Sequence, residues 1–303
     1  MRTLGASTIR LDMAVILAGT DFSTRSDRAL RRAVLLARQG SYELLLVHVI
    51  DDDQPQRMVD AARGAAEELL ASIQHTLADE DSVACRTQVR FGRVPEQMIA
   101  AAQECGAALI LIGPRRPAPL RDWLGATTAE RIIRRSPMPL LSAAGMPSAR
   151  YRHLLLPTDF GAGAHAAADA VRRLTFAPPP DVTFLHAYDA EARQMLGRAL
   201  VPSEDRRRYL ATCEAAAREA LADFVQAARI EHAGQHVRAT GGAVARDILE
   251  AATEEAADLI VLCRSNKGLV EESVLGSVTE DVLRAGELDV LVVPEAGAPT
   301  AFS

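Results

Sequence analysis

The sequence predicts an α/β chain of two repeated domains, each a parallel β-sheet covered by helices on both faces. Three observations carry this prediction. Short apolar runs alternate with helical patterns along the chain, as strands buried between crossover helices require. Five sequence blocks recur in the same order in the two halves. The length, 303 residues, suits two domains of ordinary size.

The repeat fixes the register between the halves. Thr20-Asp21-Phe22-Ser23 matches Thr158-Asp159-Phe160-Gly161, and Leu46-Val47-His48-Val49 matches Phe184-Leu185-His186-Ala187, both 138 residues apart. Gly92-Arg93-Val94 matches Gly242-Ala243-Val244, and Ala107–Gly113 matches Ala257–Cys263, both 150 apart. Gly125-Ala126 matches Gly276-Ser277 at 151. The second copy therefore holds about twelve extra residues between its second and third blocks, in or just before a long helix.

Each element follows from its local pattern. In the first copy Ala14–Thr20 is a buried apolar strand. Ser26–Arg38 carries Ala29, Leu30, Ala33, Val34 and Ala37 at helical spacing. Leu44–Ile50 is the second strand, Arg57–Leu77 a long helix and Val83–Phe91 the third strand. Pro95–Cys105 is a helix with Pro at its start, where the missing N–H costs nothing. Leu109–Gly113, a helix over Thr127–Arg134 and a last strand over Met138–Ser142 complete the copy. The second copy repeats the order. Its strands are His153–Pro157, Val182–His186, Val237–Thr240, Leu259–Cys263 and Val290–Val293. Its helices are Ala164–Leu174, Glu204–Ile230, Val244–Glu255 and Ser277–Leu283. Residues 1–145 form the first domain, with 1–12 as an N-terminal arm. Gly145-Met146-Pro147-Ser148 is the joint, 150–295 the second domain and 296–303 a C-terminal tail.

Composition narrows the classes of function. The formal net charge of −6 argues against a nucleic-acid partner. Residues 1–150 hold nineteen arginines against seventeen acids, so the acidic excess lies in the second half. Lys267 is the single lysine. Four separated cysteines without a CxxC pair indicate free thiols in a reducing cytoplasm. No apolar run approaches the roughly 20 residues that span a bilayer. Met13-Ala-Val-Ile-Leu-Ala-Gly19 reads as the first strand rather than the core of a signal peptide.

The functional signal lies where strands end. After Asp258-Leu-Ile-Val-Leu-Cys263-Arg264, a loop leads to Gly276-Ser277-Val278-Thr279 at a helix start. A strand, a loop and a Gly-Ser helix start offer backbone N–H groups to a phosphate. The first copy has a weaker version, Ala108–Gly113 followed by Gly125-Ala126-Thr127-Thr128. With the opening Thr20-Asp21-Phe22-Ser23 and the closing strand Asp289-Val-Leu-Val-Val293, the set resembles the universal stress protein family, twice over, across nearly all of 13–295. The resemblance implies two Rossmann-like, five-stranded domains of the adenine nucleotide α-hydrolase type. It also implies ATP or AMP at the carboxyl ends of the strands, which agrees with the rule for open α/β sheets.

Carried over residue by residue, the resemblance implies contacts from Asp21 and Val49, and from Asp159 and Ala187, together with the two closing loops. Asp21 and Asp159 are also candidate Mg²⁺ partners, and as helix caps they have an equally good structural reading. The closing loop of the second copy replaces the family's two glycines with Cys263 and Asn266. It keeps Gly276, Ser277, Val278 and Thr279, and Arg264 and Lys267 add charge. Asn tolerates a positive φ better than Cys does. The first copy keeps Gly113, places Arg116 at the second glycine, is one residue short, and has Gly125-Ala126 without the serine hydroxyl. Arg115 and Arg116 suit phosphate or simply water. The sequence therefore places the better nucleotide site in the second copy, with at most one carboxylate per copy beside it.

His48 and His186 read as strand-end histidines hydrogen-bonded to a neighbour. His165, His232 and His236 lack metal-ligand spacing. No HExxH, Walker A or nucleophile elbow occurs. Three functions remain open: a non-catalytic stress-response protein with a degenerate adenine-nucleotide site, a slow ATPase, and a scaffold for another small molecule or protein. The copies are expected to pair as an intrachain pseudo-dimer through Pro139–Ser142 and Val290–Val293, because an unpaired apolar edge is a liability. A further homodimer stays open.

Overall fold

The apolar runs are strands, and they lie side by side in one ten-stranded sheet. The computed structural model describes residues 14–40, 42–114, 126–189, 203–264 and 275–295. In the first repeat the elements are β1 (Val15–Thr20), α1 (Thr24–Gly40), β2 (Glu43–Ile50), α2 (Gln56–Asp79), β3 (Cys85–Phe91), α3 (Val94–Cys105), β4 (Ala107–Ile112), α4 (Thr128–Arg135) and β5 (Leu140–Ser142). In the second they are β6 (His153–Pro157), α5 (Ala162–Arg173), β7 (Asp181–Asp189), α6 (Ser203–Ala228), β8 (Gly234–Thr240), α7 (Val244–Glu254), β9 (Leu259–Cys263), α8 (Ser277–Ala285) and β10 (Asp289–Val293).

The strand order is β3-β2-β1-β4-β5-β10-β9-β6-β7-β8. Within each repeat five strands run parallel, as the alternation of strand and helix predicts. Two buried clusters cover the two faces, and each contains residues from both repeats. Every residue of β4 is buried, because a parallel sheet packed on both faces leaves no strand face for water. The stretch that imitates a signal sequence is β1, a strand with neighbours on both sides.

Local chemistry sets the helix ends. Pro95 lies in the first turn of α3, and Gly106 closes that helix at φ 62°, a conformation glycine adopts without steric cost. Some expected boundaries move. β3 starts at Cys85 rather than Val83, and α6 ends at Ala228 rather than Ile230. β8 starts at Gly234 rather than Val237, because pairing with β7 extends the ladder to Thr183↔Gly234. The connection that holds most of the second copy's extra length, 190–202, lies outside the described residues, as do the N-terminal arm and the C-terminal tail.

The repeats join where the sequence places the seam. β10 and β5 pair antiparallel, with Val290 opposite Ser142, Leu291 opposite Leu141 and Val292 opposite Leu140. Two ion pairs related by the repeat cross this seam between α4 and α8: Arg134 to Glu280 at 2.7 Å and Arg284 to Glu130 at 3.5 Å. The tightest contact has no symmetric counterpart. Asp289 has no exposed surface. It accepts hydrogen bonds from Tyr151 Oη at 2.5 Å and from the Gly145 N–H at 2.7 Å. Arg32 Nε of α1 lies 2.8 Å from Oδ2, an ion pair too bent for a hydrogen bond. The Arg32 guanidinium also stacks 4.2 Å above the Tyr151 ring and donates to the Ala149 carbonyl at 2.7 Å. Burial, then the charge of Asp289, pushes the Tyr151 phenol well above its ordinary pKa, so it stays a hydrogen-bond donor.

Removing one member of a buried ion pair leaves the other charge uncompensated. Asp289→Ala is therefore expected to lower unfolding stability by about 3–5 kcal/mol in a urea titration. A loss under about 1 kcal/mol, the scale of an exposed pair, would show that the cluster does not hold the seam.

Candidate functional site

Both repeats build the same turn where their first strand ends. Thr20 Oγ1 accepts from the Phe22 N–H at 3.0 Å, and Thr158 Oγ1 from the Phe160 N–H at 2.9 Å. Phe22 and Phe160 take positive φ values of 57° and 62°, rare for a bulky side chain. Each ring rests on a histidine, Phe22 on His48 at 4.4 Å and Phe160 on His186 at 4.2 Å. The histidines hydrogen-bond through Nδ1 to the Thr20 and Thr158 carbonyl oxygens, both at 2.9 Å. This is the neighbour-bonded, strand-end role their sequence position suggests.

The aspartates hold turns rather than cap helices. Asp21 Oδ1 accepts from the Ser23 N–H at 3.1 Å and from its hydroxyl, and Asp159 Oδ1 accepts from the Gly161 N–H at 2.9 Å. The bond reaches only two residues ahead, so the capping expectation is corrected: α5 has Gly161 at its N-cap and no side-chain cap. Both aspartates are exposed at the carboxyl end of the sheet. Ser23 and Ser26 belong to the turn itself, with Ser26 Oγ donating to the Ser23 carbonyl at 2.9 Å. Their replacement by Gly161 and Ala164 therefore removes turn contacts. Val49 and Ala187, at the ends of the second strands, are half-buried. Val49 packs against the core on the α3 face.

The next element is the end of β4 and of β9. A Cβ on Gly113 would lie 2.8 Å from the Arg25 carbonyl oxygen at the start of α1. The equivalent contact in the second repeat is reversed. Cys263 carries the side chain, and it is residue 163 of α5 that is glycine, where a Cβ would meet Cys263 Sγ at 3.0 Å. Neither Gly113 nor Cys263 has a positive φ. The sequence expectation that Cys263 damages the backbone conformation is thus corrected, because Gly163 makes the room that Gly113 makes in the first repeat.

The helix starts differ more. Thr127 and Glu130 form a reciprocal capping box on α4, Thr127 Oγ1 accepting from the Glu130 N–H at 3.1 Å and Glu130 Oε2 from the Thr127 N–H at 2.8 Å. Glu130 is only 1% exposed. Ala126, just before the box, has its carbonyl taken by Arg131 Nε at 3.1 Å. In contrast α8 begins after Gly276 with no side-chain cap. Ser277 is exposed there and Val278 half-buried, while Thr279 is buried, which corrects its place among residues facing a ligand.

Arg264 is also corrected. Its backbone N–H bonds the Val293 carbonyl, and its guanidinium turns across the seam. Nη1 donates to the carbonyls of Ile133 at 2.7 Å and Arg134 at 3.0 Å, at the C-terminal end of α4. Orphan carbonyls at a helix end and the dipole both favour a cation there. Burial lowers the Arg264 pKa from its ordinary value. This arginine plugs the end of α4. Arg115, Arg116, Gly125, Asn266 and Lys267 lie outside the described residues.

The comparisons decide the family. The model of the universal stress protein family matches the chain twice, at residues 13–142 and 150–294. The chain belongs to the universal stress protein family. Universal stress protein G of Shigella flexneri and that of Escherichia coli O157:H7 are each 29% identical to it over 127 residues, 38% of this chain and 87% of theirs. A crystal structure of a universal stress protein from Archaeoglobus fulgidus DSM 4304 superposes with a TM-score of 0.67 at 19% identity, covering 93% of this chain and 98% of that one. A functionally unknown protein from Pseudomonas aeruginosa PAO1 gives 0.65 at 20%, covering 93% of each. At these identities the structures share the fold.

This tandem universal stress protein carries site features that sequence reading passed over. Gly163 was visible in principle: at the 138-residue offset it aligns with Arg25, which faces Gly113. Glu295 was not. It follows β10, whose Val293 pairs with Cys263, and so reaches the neighbourhood of that thiol. The charges of Glu295 and Asp159 both act on Cys263. Burial first, then the charge of Glu295, push the Cys263 thiol up to about 12; Arg264 opposes them and Asp159 adds a lesser push. Burial likewise raises Cys85 to about 11 and moves Cys105 upward. All four cysteines are free. Among the described residues no cluster of His, Cys, Asp and Glu forms a metal site, and no helix is long and apolar enough to cross a membrane.

Only the thiolate reacts with iodoacetamide, and the raised pKa keeps it scarce at pH 8 in the folded chain. Alkylation of Cys263, followed by mass spectrometry of its peptide, is expected to be at least about 100-fold slower in the native than in the urea-unfolded protein. It should quicken as pH rises toward the shifted pKa. Equal rates at pH 8 would contradict the buried environment.

Proposed function

We propose that this chain is a non-catalytic stress-response protein that holds one adenine nucleotide, ATP or AMP, in its second repeat. The observation that carries the proposal is the difference between the two helix starts. At α4 the capping box already uses the N–H groups of Thr127 and Glu130. At α8 Gly276 brings no side-chain oxygen, so among the described residues no side-chain cap takes the N–H groups of the first turn, and these with the Ser277 hydroxyl suit an anion. Asp159, at the strand end that the family resemblance assigns to adenosine, completes the reading, with Mg²⁺ as its partner. Membership of the universal stress protein family supports a cytoplasmic role in stress response.

The test is equilibrium dialysis of the full chain, freed of co-purified nucleotide, against ATP and AMP. About one nucleotide per chain is expected. Ser277→Ala should weaken binding by about 1–3 kcal/mol, the range for losing a hydrogen bond to a charged group, and Thr127→Ala should leave it unchanged. Two equivalent sites per chain, or the same affinity in Ser277→Ala, would remove the second-repeat assignment. No binding of either nucleotide would leave the scaffold reading in its place.

The proposal also excludes efficient ATP turnover. Phosphoryl transfer needs charge stabilisation that grows in the transition state. Arg264, the described cation nearest the closing loop, is committed to the end of α4. A Mg²⁺-ATP assay is expected to stay below about 1 s⁻¹, the lower end of ordinary enzymes. Sustained turnover above that rate, abolished by Asp159→Ala, would establish an ATPase instead.

A further inference from the structure

The two ends of the second repeat's closing segment converge on a single turn of the first repeat. Arg264 stands directly after β9, where the segment begins, and Glu280 stands in the first turn of α8, just after it ends. Arg264 Nη1 donates to the carbonyls of Ile133 and Arg134, and it lies 3.4 Å from that of Ser136. Glu280 Oε1 accepts from Arg134 Nη2 at 2.7 Å. Both residues therefore grip the C-terminal turn of α4, whose own last bond is the Ser136 N–H to the Ile132 carbonyl at 2.7 Å.

The reverse connection is thinner. The residue equivalent to Arg264 in the first repeat is Pro114, which has no donor. Among the described residues of that region Glu130 reaches back, to Arg284 at 3.5 Å. Arg264 is 8% exposed and packed, so its guanidinium follows any shift of the β9 end. Such a shift strips the α4 carbonyls of their donor in a place water does not reach, which costs more than an ordinary exposed hydrogen bond.

We infer that the C-terminal turn of α4 senses the second repeat's nucleotide site: Arg264 and Glu280 transmit occupancy at the start of α8 across the seam to residues 133–136. The coupling runs from second repeat to first, and it gives the first repeat a regulatory use although its own helix start is self-capped. The inference rests on the second-repeat site proposed above.

The test is hydrogen–deuterium exchange on the full chain, with Mg²⁺-ATP as the probe and its binding measured separately by dialysis. Binding is expected to slow exchange at residues 133–136 by about threefold or more, a local stabilisation of that turn. The slowing should vanish in Glu280→Gln and in Arg264→Met; should the latter fail to fold, Glu280→Gln carries the test. ATP binding with slowing confined to the second repeat, or slowing that persists in both variants, would overturn the coupling and leave the site intact. If ATP does not bind, the site reading fails and Gly276→Asp decides the coupling. That substitution gives α8 the cap it lacks and steadies its first turn without a ligand. Slower exchange at 133–136 in Gly276→Asp would sustain the coupling; unchanged exchange there would overturn it.

Discussion

Asp289 holds a charge where no water reaches, and the joining of the two repeats depends on how that charge is met. A lone carboxylate in such a place would cost several kcal/mol. Here a guanidinium, a phenol and a backbone N–H surround it, and they come from α1, from the stretch after the linker and from the linker itself. The carboxylate thereby fixes the path of the connecting chain and the placement of β10 together. With β10 placed, its three-pair ladder with β5 follows, and ten strands become one sheet. In the reciprocal pairs between α4 and α8 both arginines are partly exposed although Glu130 is buried, so the Arg134–Glu280 pair adds little by itself. Their value is orientation: they keep the two helix ends in register across the seam.

The repeats are alike in backbone and unlike in what their carboxyl ends present. The first closes its own helix start with Thr127 and Glu130, then receives an arginine from its neighbour at the opposite end of the same helix. α4 is thus satisfied at both termini by protein groups. α8 ends on Gly286 in the left-handed conformation and begins on bare Gly276. The two helix starts thus differ: α4 carries its own side-chain cap and α8 carries none among the described residues.

The fold was legible because its signals are periodic. β1, β4 and β9 are runs too apolar for any place but a two-sided core, and the recurring blocks supply the order. The site was legible only in part. Asp21, Asp159, Gly276 and Ser277 stand out as candidates by residue type. Arg264 does not. Nothing in Cys263-Arg264 tells whether the guanidinium turns to the loop or crosses to the other repeat; the answer depends on where α4 ends, more than a hundred residues away. Glu295 escaped for the same reason, as its neighbourhood is set by the β9–β10 register. Thr279 was misjudged because a helix start exposes one side of its first turn and buries the other.

The reversal at Gly113 and Gly163 has a consequence for how the two halves can change. Between the strand end and the facing helix there is room for one side chain, given by Cys263 in one half and withheld by Gly113 in the other. An exchange of sequence between halves, as unequal recombination within a duplicated gene produces, would carry one partner of the contact without the other. A strand end copied from the second half would drive a thiol into the α1 backbone, and a helix start copied from the first would set Arg25's counterpart against Cys263. The contact ties the strand end and the helix start of each half together, so that either one exchanged alone meets a clash and the two exchanged together do not.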